Sequence, residues 1–79
     1  MRARDAYRLI VKRGGLAPAV LADPARVDHV EVVEIGSGEV AFYWDREPRA
    51  ASRLARALRT DLVQLDASEF VARWSTVEQ

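Results

Sequence analysis

Residues Asp28–Asp45 read DHVEVVEIGSGEVAFYWD, and this stretch predicts a β-hairpin. The first arm, about residues 29–35, is rich in β-branched side chains, and the second arm, about residues 39–45, concentrates the aromatic ones. Between the arms, Gly36-Ser37-Gly38 supplies glycines, which readily adopt the positive φ that a tight reversal requires. We expect the rest of the chain to pack around this hairpin.

Apolar side chains occur on both faces of the predicted hairpin. Alternation along a strand places on one face Val30, Val32, Val40, Phe42 and Trp44. It places on the other face Val33, Ile35, Ala41 and Tyr43. A hairpin with one solvated face would instead alternate apolar and polar residues. We therefore expect helices of the same chain or a second copy to cover both faces, and the second set is the candidate dimer or partner interface.

The segment after the hairpin predicts an amphipathic helix over about residues 48–60. Asp45-Arg46-Glu47-Pro48 combines acidic residues with an early proline, which is typical of a helix start. At about 100° per residue, one arc of the helix is apolar and consists of Ala51, Leu54, Ala55, Leu58 and Leu62. The opposite arc is basic and consists of Arg46, Arg49, Arg53, Arg56 and Arg59. No acidic residue lies within 49–60 to neutralise these arginines by i,i+4 pairing, so they are candidate partner-binding residues.

Two further elements are predicted after this helix. The apolar residues 62–65 lie between two aspartates and fit a short third strand. Asp66-Ala67-Ser68-Glu69 has the spacing of a capping box and predicts a C-terminal helix over about residues 67–76. Phe70 and Trp74 lie one turn apart in that helix, so both are expected to pack inward.

The residues before the hairpin are less regular. Residues 5–13 fit either a helix that ends at Gly14 or a strand, and the helix is favoured because Ile10 interrupts the strand alternation. Residues 16–22 predict one or two helical turns. Asp23–Arg26 then predicts a turn that leads into the hairpin.

The length indicates one small domain over residues 1–79 with a limited core, and the predicted elements give it an α+β class. The 12 basic and 12 acidic residues give a formal net charge of zero, so there is no overall attraction to nucleic acid or to an anionic membrane. The absence of cysteine excludes disulfides and thiolate metal ligands. No apolar run approaches the ~20 residues of a membrane helix, and charged residues interrupt the N-terminal segment. We therefore expect no signal peptide, no membrane partner and a cytoplasmic location.

The sequence contains no recognisable catalytic constellation. His29 is the single histidine, and its neighbours Asp28 and Glu31 lack the second histidine or cysteine that would complete a metal set. Gly36-Ser37-Gly38 has neither the glycine spacing nor the strand-to-helix context of a phosphate loop. We therefore expect a surface histidine, no enzymatic activity, no metal, no cofactor and no small-molecule substrate.

These observations favour a small non-catalytic protein-interaction or regulatory module. The small size and the two apolar hairpin faces predict a homodimer or a subunit of a small complex. The alternative is a nucleic-acid-binding accessory protein that uses the arginines of helix 48–60 to contact phosphates. Zero net charge favours a protein partner over nucleic acid. The arginines also fit a solvated face that pairs with Glu31, Glu34 and Glu39 of the hairpin.

Overall fold

A three-stranded antiparallel sheet with helices packed against one side forms the fold. The computed structural model describes residues 1–14 and 26–79. Along the chain, the elements are α1 (Ala3–Ala6), β1 (Tyr7–Lys12), β2 (Asp28–Glu34), β3 (Val40–Arg46), α2 (Pro48–Gln64) and α3 (Ala67–Trp74). In the sheet, β2 lies between β1 and β3. The α+β class predicted from the sequence is confirmed.

The predicted hairpin is formed by β2 and β3. Val30 lies opposite Trp44 and Val32 lies opposite Phe42, and all four side chains are buried. These pairs combine β-branched and aromatic side chains, which stabilise neighbouring strands when they face each other. The hairpin therefore supplies the sheet's half of the core.

A register shift in the hairpin changes which residues share a face. It falls between Val32 and Val33, so Val33 pairs with Val40 and Ala41 has no partner in β2. Ala41 is therefore the extra residue of a β-bulge. The bulge places Val40 on the same face as Val33, where Val40 is 52% exposed. The prediction that Val40 shares a face with Phe42 is wrong, because simple alternation does not allow for an inserted residue.

The turn between the hairpin strands requires glycine at one position because of the backbone angle there. The Glu34 amide donates to the Glu39 carbonyl, and the Gly38 amide donates to the Glu34 carbonyl, each at 2.8 Å. Gly38 has a φ of 76°, which L side chains rarely adopt. A Cβ placed on Gly36 or on Gly38 would meet no heavy atom within 4 Å. The requirement for glycine at position 38 therefore comes from its backbone angle and not from space.

Residues 7–12 form a strand, so the favoured helical interpretation of residues 5–13 is wrong. Of residues 5–13, only Asp5 and Ala6 are helical, as the end of α1. Strand β1 runs antiparallel to β2 with Leu9 opposite Val32. A two-stranded hairpin alone is marginally stable, and a third strand satisfies the backbone groups along the edge of β2. This pairing is non-local, because residues 13–27 separate the two strands, and local periodicity does not detect it.

The end of β1 meets the start of β2 at Gly14. The Gly14 amide donates to an Asp28 carboxylate oxygen at 3.0 Å. A Cβ on Gly14 would lie 1.8 Å from the Val27 carbonyl oxygen, so only glycine permits this approach. The helical turns predicted at 16–22, and all of the turn predicted at 23–26 except Arg26, lie outside the described residues.

Helix α2 begins as predicted and continues to Gln64. The Glu47 carboxylate caps it by accepting from the Ala50 amide at 2.7 Å and from the Arg49 amide at 3.0 Å. Pro48 occupies the first turn, where its missing N–H costs nothing. Helix α2 then covers the sheet face that carries the buried hairpin pairs.

The third strand predicted at residues 62–65 is wrong. Leu62 is buried, whereas the adjacent Val63 is 53% exposed. Leu62 follows Leu58 by four residues, so it extends the buried stripe of α2 by one turn. Residues 62–64 therefore form the last turn of α2, and Leu65 follows it as the C-cap with an extended backbone.

Helix α3 confirms the predicted C-terminal helix, although it ends at Trp74 and not at residue 76. Phe70 and Trp74 are both buried, as predicted. The Trp74 ring contacts that of Trp44 edge-on, with centroids 5.8 Å apart, and its Nε1 donates to an Asp61 carboxylate oxygen at 3.0 Å. Trp74 therefore joins α3 to both the sheet and α2.

Replacing Trp74 with alanine is expected to lower the free energy of unfolding by about 3–5 kcal/mol, because removing a large buried ring leaves a cavity. Urea unfolding followed by far-UV circular dichroism measures the change. Val63→Ala is the control, since this exposed side chain should change the free energy by no more than about 0.5 kcal/mol. An unchanged midpoint in Trp74→Ala would contradict the packing of α3.

The two turn glycines provide a second, matched comparison. Gly38→Ala is expected to destabilise the fold by about 1–2 kcal/mol, because alanine resists positive φ. Gly36→Ala should leave stability unchanged or raise it by up to about 1 kcal/mol, since its φ is not positive and the unfolded chain loses entropy. Thermal unfolding of both variants tests the turn geometry, and equal effects would show that φ does not explain the difference.

Candidate functional site

The sheet has an inner face that packs on α2 and α3 and an outer face that points away from them. The register places nine side chains on the outer face: Arg8, Ile10, Lys12, His29, Glu31, Val33, Val40, Tyr43 and Asp45. Several are apolar, and charged residues of both signs surround them. The outer face is therefore a mixed surface of apolar and charged side chains that α2 and α3 leave uncovered.

The predicted interface residues lie on or beside this face. Val33 is half-buried on it, and Tyr43 is 38% exposed on it. Ala41 is exposed at the bulge, and Ile35 follows the end of β2 and is 48% exposed. Val33 and Tyr43 thus share the outer face, and Ala41 and Ile35 lie towards the turn end of the hairpin. Their role as an interface stays a prediction.

A polar cluster of His29, Tyr43 and Asp45 occupies one end of the outer face. His29 lies opposite Asp45 across the hairpin, and its Nδ1 contacts an Asp45 carboxylate oxygen. The Tyr43 hydroxyl lies 2.7 Å from the same nitrogen, and the two rings are stacked with centroids 5.8 Å apart. Strand pairing therefore brings the imidazole on β2 next to the phenol and the carboxylate on β3.

The charges of the cluster define its hydrogen bonding. The hydrogen bond from His29 lowers the pKa of Asp45, so this carboxyl is ionised at neutral pH and only accepts. Burial, followed by the hydrogen bond with Asp45, raises the pKa of Tyr43, so its hydroxyl stays protonated. Nδ1 of His29 must then carry the proton that faces Asp45.

Asp28 and Glu31, the sequence neighbours of His29, lie on opposite faces of β2. Asp28 is 5% exposed on the other side of the strand, where its carboxylate binds the Gly14 amide and lies 3.4 Å from Nε of Arg26. Glu31 shares the outer face with His29, but its carboxylate lies 3.5 Å from the Lys12 ammonium.

Asp45 is the neighbour of His29 across the hairpin that the sequence did not predict. The sequence did contain one indication of this pair. If the predicted arms 29–35 and 39–45 pair symmetrically about the turn, residue 29 lies opposite residue 45. Within the described residues, no group of three histidine, cysteine or carboxylate side chains could hold a metal ion. The cluster orients an imidazole and a phenol on the surface of the sheet.

The exposed arginines of α2 form a second candidate surface. We call these four residues the arginine face: Arg49, Arg53, Arg56 and Arg59. Arg46, the fifth candidate, lies apart from this face, because it is the last residue of β3 and α2 begins at Pro48. Its guanidinium instead donates to the carbonyls of Asp45 and Glu78, at 2.8 and 2.7 Å.

The positive charges of the arginine face are largely unneutralised within the described part of the chain. None of its members forms an ion pair there, and Glu31, one of the predicted intramolecular partners, is paired with Lys12 on the opposite side of the sheet. The pKa of Glu47, which caps α2, is lowered mainly by the Arg49 and Ala50 amides and less by the charges of Arg53 and Arg49. The charge of this capping carboxylate therefore interacts with two of the four arginines, Arg53 and Arg49.

Comparisons with protein-family models, with curated proteins and with solved structures found no match. Among the described residues, no helix is long and apolar enough to cross a membrane.

Replacing His29 with alanine is expected to raise the pKa of Asp45 towards its ordinary value, because the His29 hydrogen bond is the largest cause of the lowering. A carboxyl ¹³C NMR titration measures this shift. The depressed pKa stabilises the fold above the ordinary aspartate value of 3.8, and this contribution is lost as pH falls through the folded-state pKa. The stability difference between wild type and His29→Ala should therefore narrow in that acidic range.

Lys12→Ala provides the control for this titration. Lys12 also lies opposite His29, but from β1, and it is not among the causes of the Asp45 shift. Its removal should leave the pKa of Asp45 in place. A low Asp45 pKa that survives in His29→Ala would contradict the proposed hydrogen bonding of the cluster.

Proposed function

We propose that this protein is a non-catalytic interaction module that acts as a homodimer through the outer face of its sheet. The observation that carries the proposal is the exposure of apolar side chains on the sheet face that α2 and α3 leave uncovered. Val40 is 52% exposed there beside Val33, and Tyr43 adds an exposed ring. Exposed apolar side chains that are grouped on one face are typical of interaction surfaces.

The charges of the outer face support a second copy as the occupant. A two-fold dimer places the same surface patch against itself, so the patch must be self-complementary. The outer face carries the basic residues Arg8 and Lys12 on β1 and the acidic residues Glu31 and Asp45 on β2 and β3. A copy related by a two-fold axis can therefore bring basic groups of one chain against acidic groups of the other.

Wild-type protein is expected to sediment as a dimer at micromolar concentration in analytical ultracentrifugation. Val40→Lys should weaken dimerisation by about tenfold or more, because two ammonium groups would enter the shared interface. Val63→Lys is the matched control, since Val63 is equally exposed but lies on α2. It should leave the dimer intact.

Two outcomes would overturn the homodimer. One is a wild-type protein that sediments as a monomer throughout the micromolar range. The other is an equal loss of dimer in both lysine variants, because that would place the contact away from the sheet. Circular dichroism on each variant separates loss of the dimer from loss of the fold.

A further inference from the structure

We propose that the arginine face of α2 is a docking surface for an acidic amphipathic helix of a second protein. The proposal concerns the side of the molecule opposite the outer sheet face. It is independent of self-association, because α2 packs on the inner face of the sheet.

The packing of α2 determines the direction of its arginines. Its buried stripe consists of Ala51, Ala55, Leu58 and Leu62. At about 100° per residue, Arg49, Arg53 and Arg56 lie within an arc of about 60° opposite that stripe, and Arg59 widens the arc to about 120°. The four residues extend over about 15 Å of helix axis at ~1.5 Å per residue. They form a row that rotation of the helix cannot hide without exposing the core.

The spacing of the row matches that of another helix. Successive arginines are separated by four, three and three residues. Carboxylates that recur every three or four residues along a partner helix lie on one face at the same interval. The planar guanidinium group binds a carboxylate through two parallel N–H donors, so each arginine can engage one acid of the partner. Charge complementarity thus indicates an occupant with a one-sided acidic face.

Nucleic acid fits the same surface less well. Helix α2 contains no aromatic side chain on which a base could stack. The chain has a net charge of zero, so the 12 acidic residues oppose the long-range field on which phosphate binding depends. A carboxylate helix relies instead on short-range contacts at the row itself.

Fluorescence anisotropy with defined probes tests the proposal. The first probe is a labelled alanine-based helical peptide with glutamates at every third or fourth position, all on one face. The second has the same composition with its glutamates distributed around the helix, and the third is a short labelled DNA duplex. At low ionic strength, the one-sided peptide should bind about tenfold or more tightly than its isomer and than the duplex.

Charge reversal with a matched control locates the binding surface. Arg53→Glu with Arg56→Glu should weaken binding of the one-sided peptide by about tenfold or more. Arg4→Glu with Arg13→Glu changes the net charge equally at exposed positions elsewhere and should retain the affinity within about twofold. The neutral pair Arg53→Gln with Arg56→Gln should give an intermediate loss, which covers the case in which the reversed variant does not fold.

The remaining outcomes overturn the proposal. Equal binding of the two peptides, or equal losses in both reversed variants, would indicate non-specific charge attraction. Tighter binding of the duplex, lost in the Arg53 and Arg56 variants and steeply dependent on salt, would identify a nucleic-acid surface. No binding of the one-sided peptide by wild type would leave the arginines as a solvated face. Val40→Lys should bind the peptide like wild type, so failure of the homodimer does not affect this test.

Discussion

The fold depends on two fully buried valines of the central strand, Val30 and Val32. Each is flanked by side chains of both neighbouring strands, which gives the rows Val11–Val30–Trp44 and Leu9–Val32–Phe42. A slip of one residue in either pairing would turn a whole strand over and move its apolar set to the other face. The rows therefore set the register of β1 and β3 and create the surface on which α2 and α3 pack.

The two candidate surfaces follow from this constraint. Because the helices take the side of the sheet that carries the rows, residues at the alternate positions remain on the outer face. Because the apolar stripe of α2 faces the sheet, its arginines point in the opposite direction. The apolar surface and the basic surface thus lie on opposite sides of a small protein, so one occupant does not block the other. This arrangement is well suited to a module that links a copy of itself to a different chain.

Local patterns in the sequence predicted the elements that local interactions stabilise. The hairpin follows from alternation and turn glycines, α2 from a proline and an apolar stripe, and α3 from its paired aromatic residues. The strand β1 was the less favoured of two alternatives, because a short segment with mixed periodicity acquires its conformation from pairing with distant β2. The bulge at Ala41 and the last turn of α2 were missed for the same reason, since both are set by packing across the core.

The sequence likewise predicted only part of the candidate site. Four arginines of α2 lie where the helical period placed them, whereas Arg46 belongs to the end of β3. His29 was recognised as the single histidine, but its partner Asp45 is next to it only in the paired strands. Contacts between residues on different strands depend on the register of the strand pairing. A single sequence predicts this register only where both arms are symmetric about the turn.

The contact between Trp44 and Trp74 makes the protein its own optical reporter. These are the two tryptophans of the chain, and their rings lie 5.8 Å apart at an interplanar angle of 72°. One indole belongs to the sheet and the other to α3, so coupled electronic transitions between them arise only when the two layers are docked. Intrinsic fluorescence and near-ultraviolet dichroism therefore read the state of the core directly. Neither the outer face nor the arginine face contains an indole, so an occupant that lacks tryptophan can bind either surface while that signal continues to report folding alone.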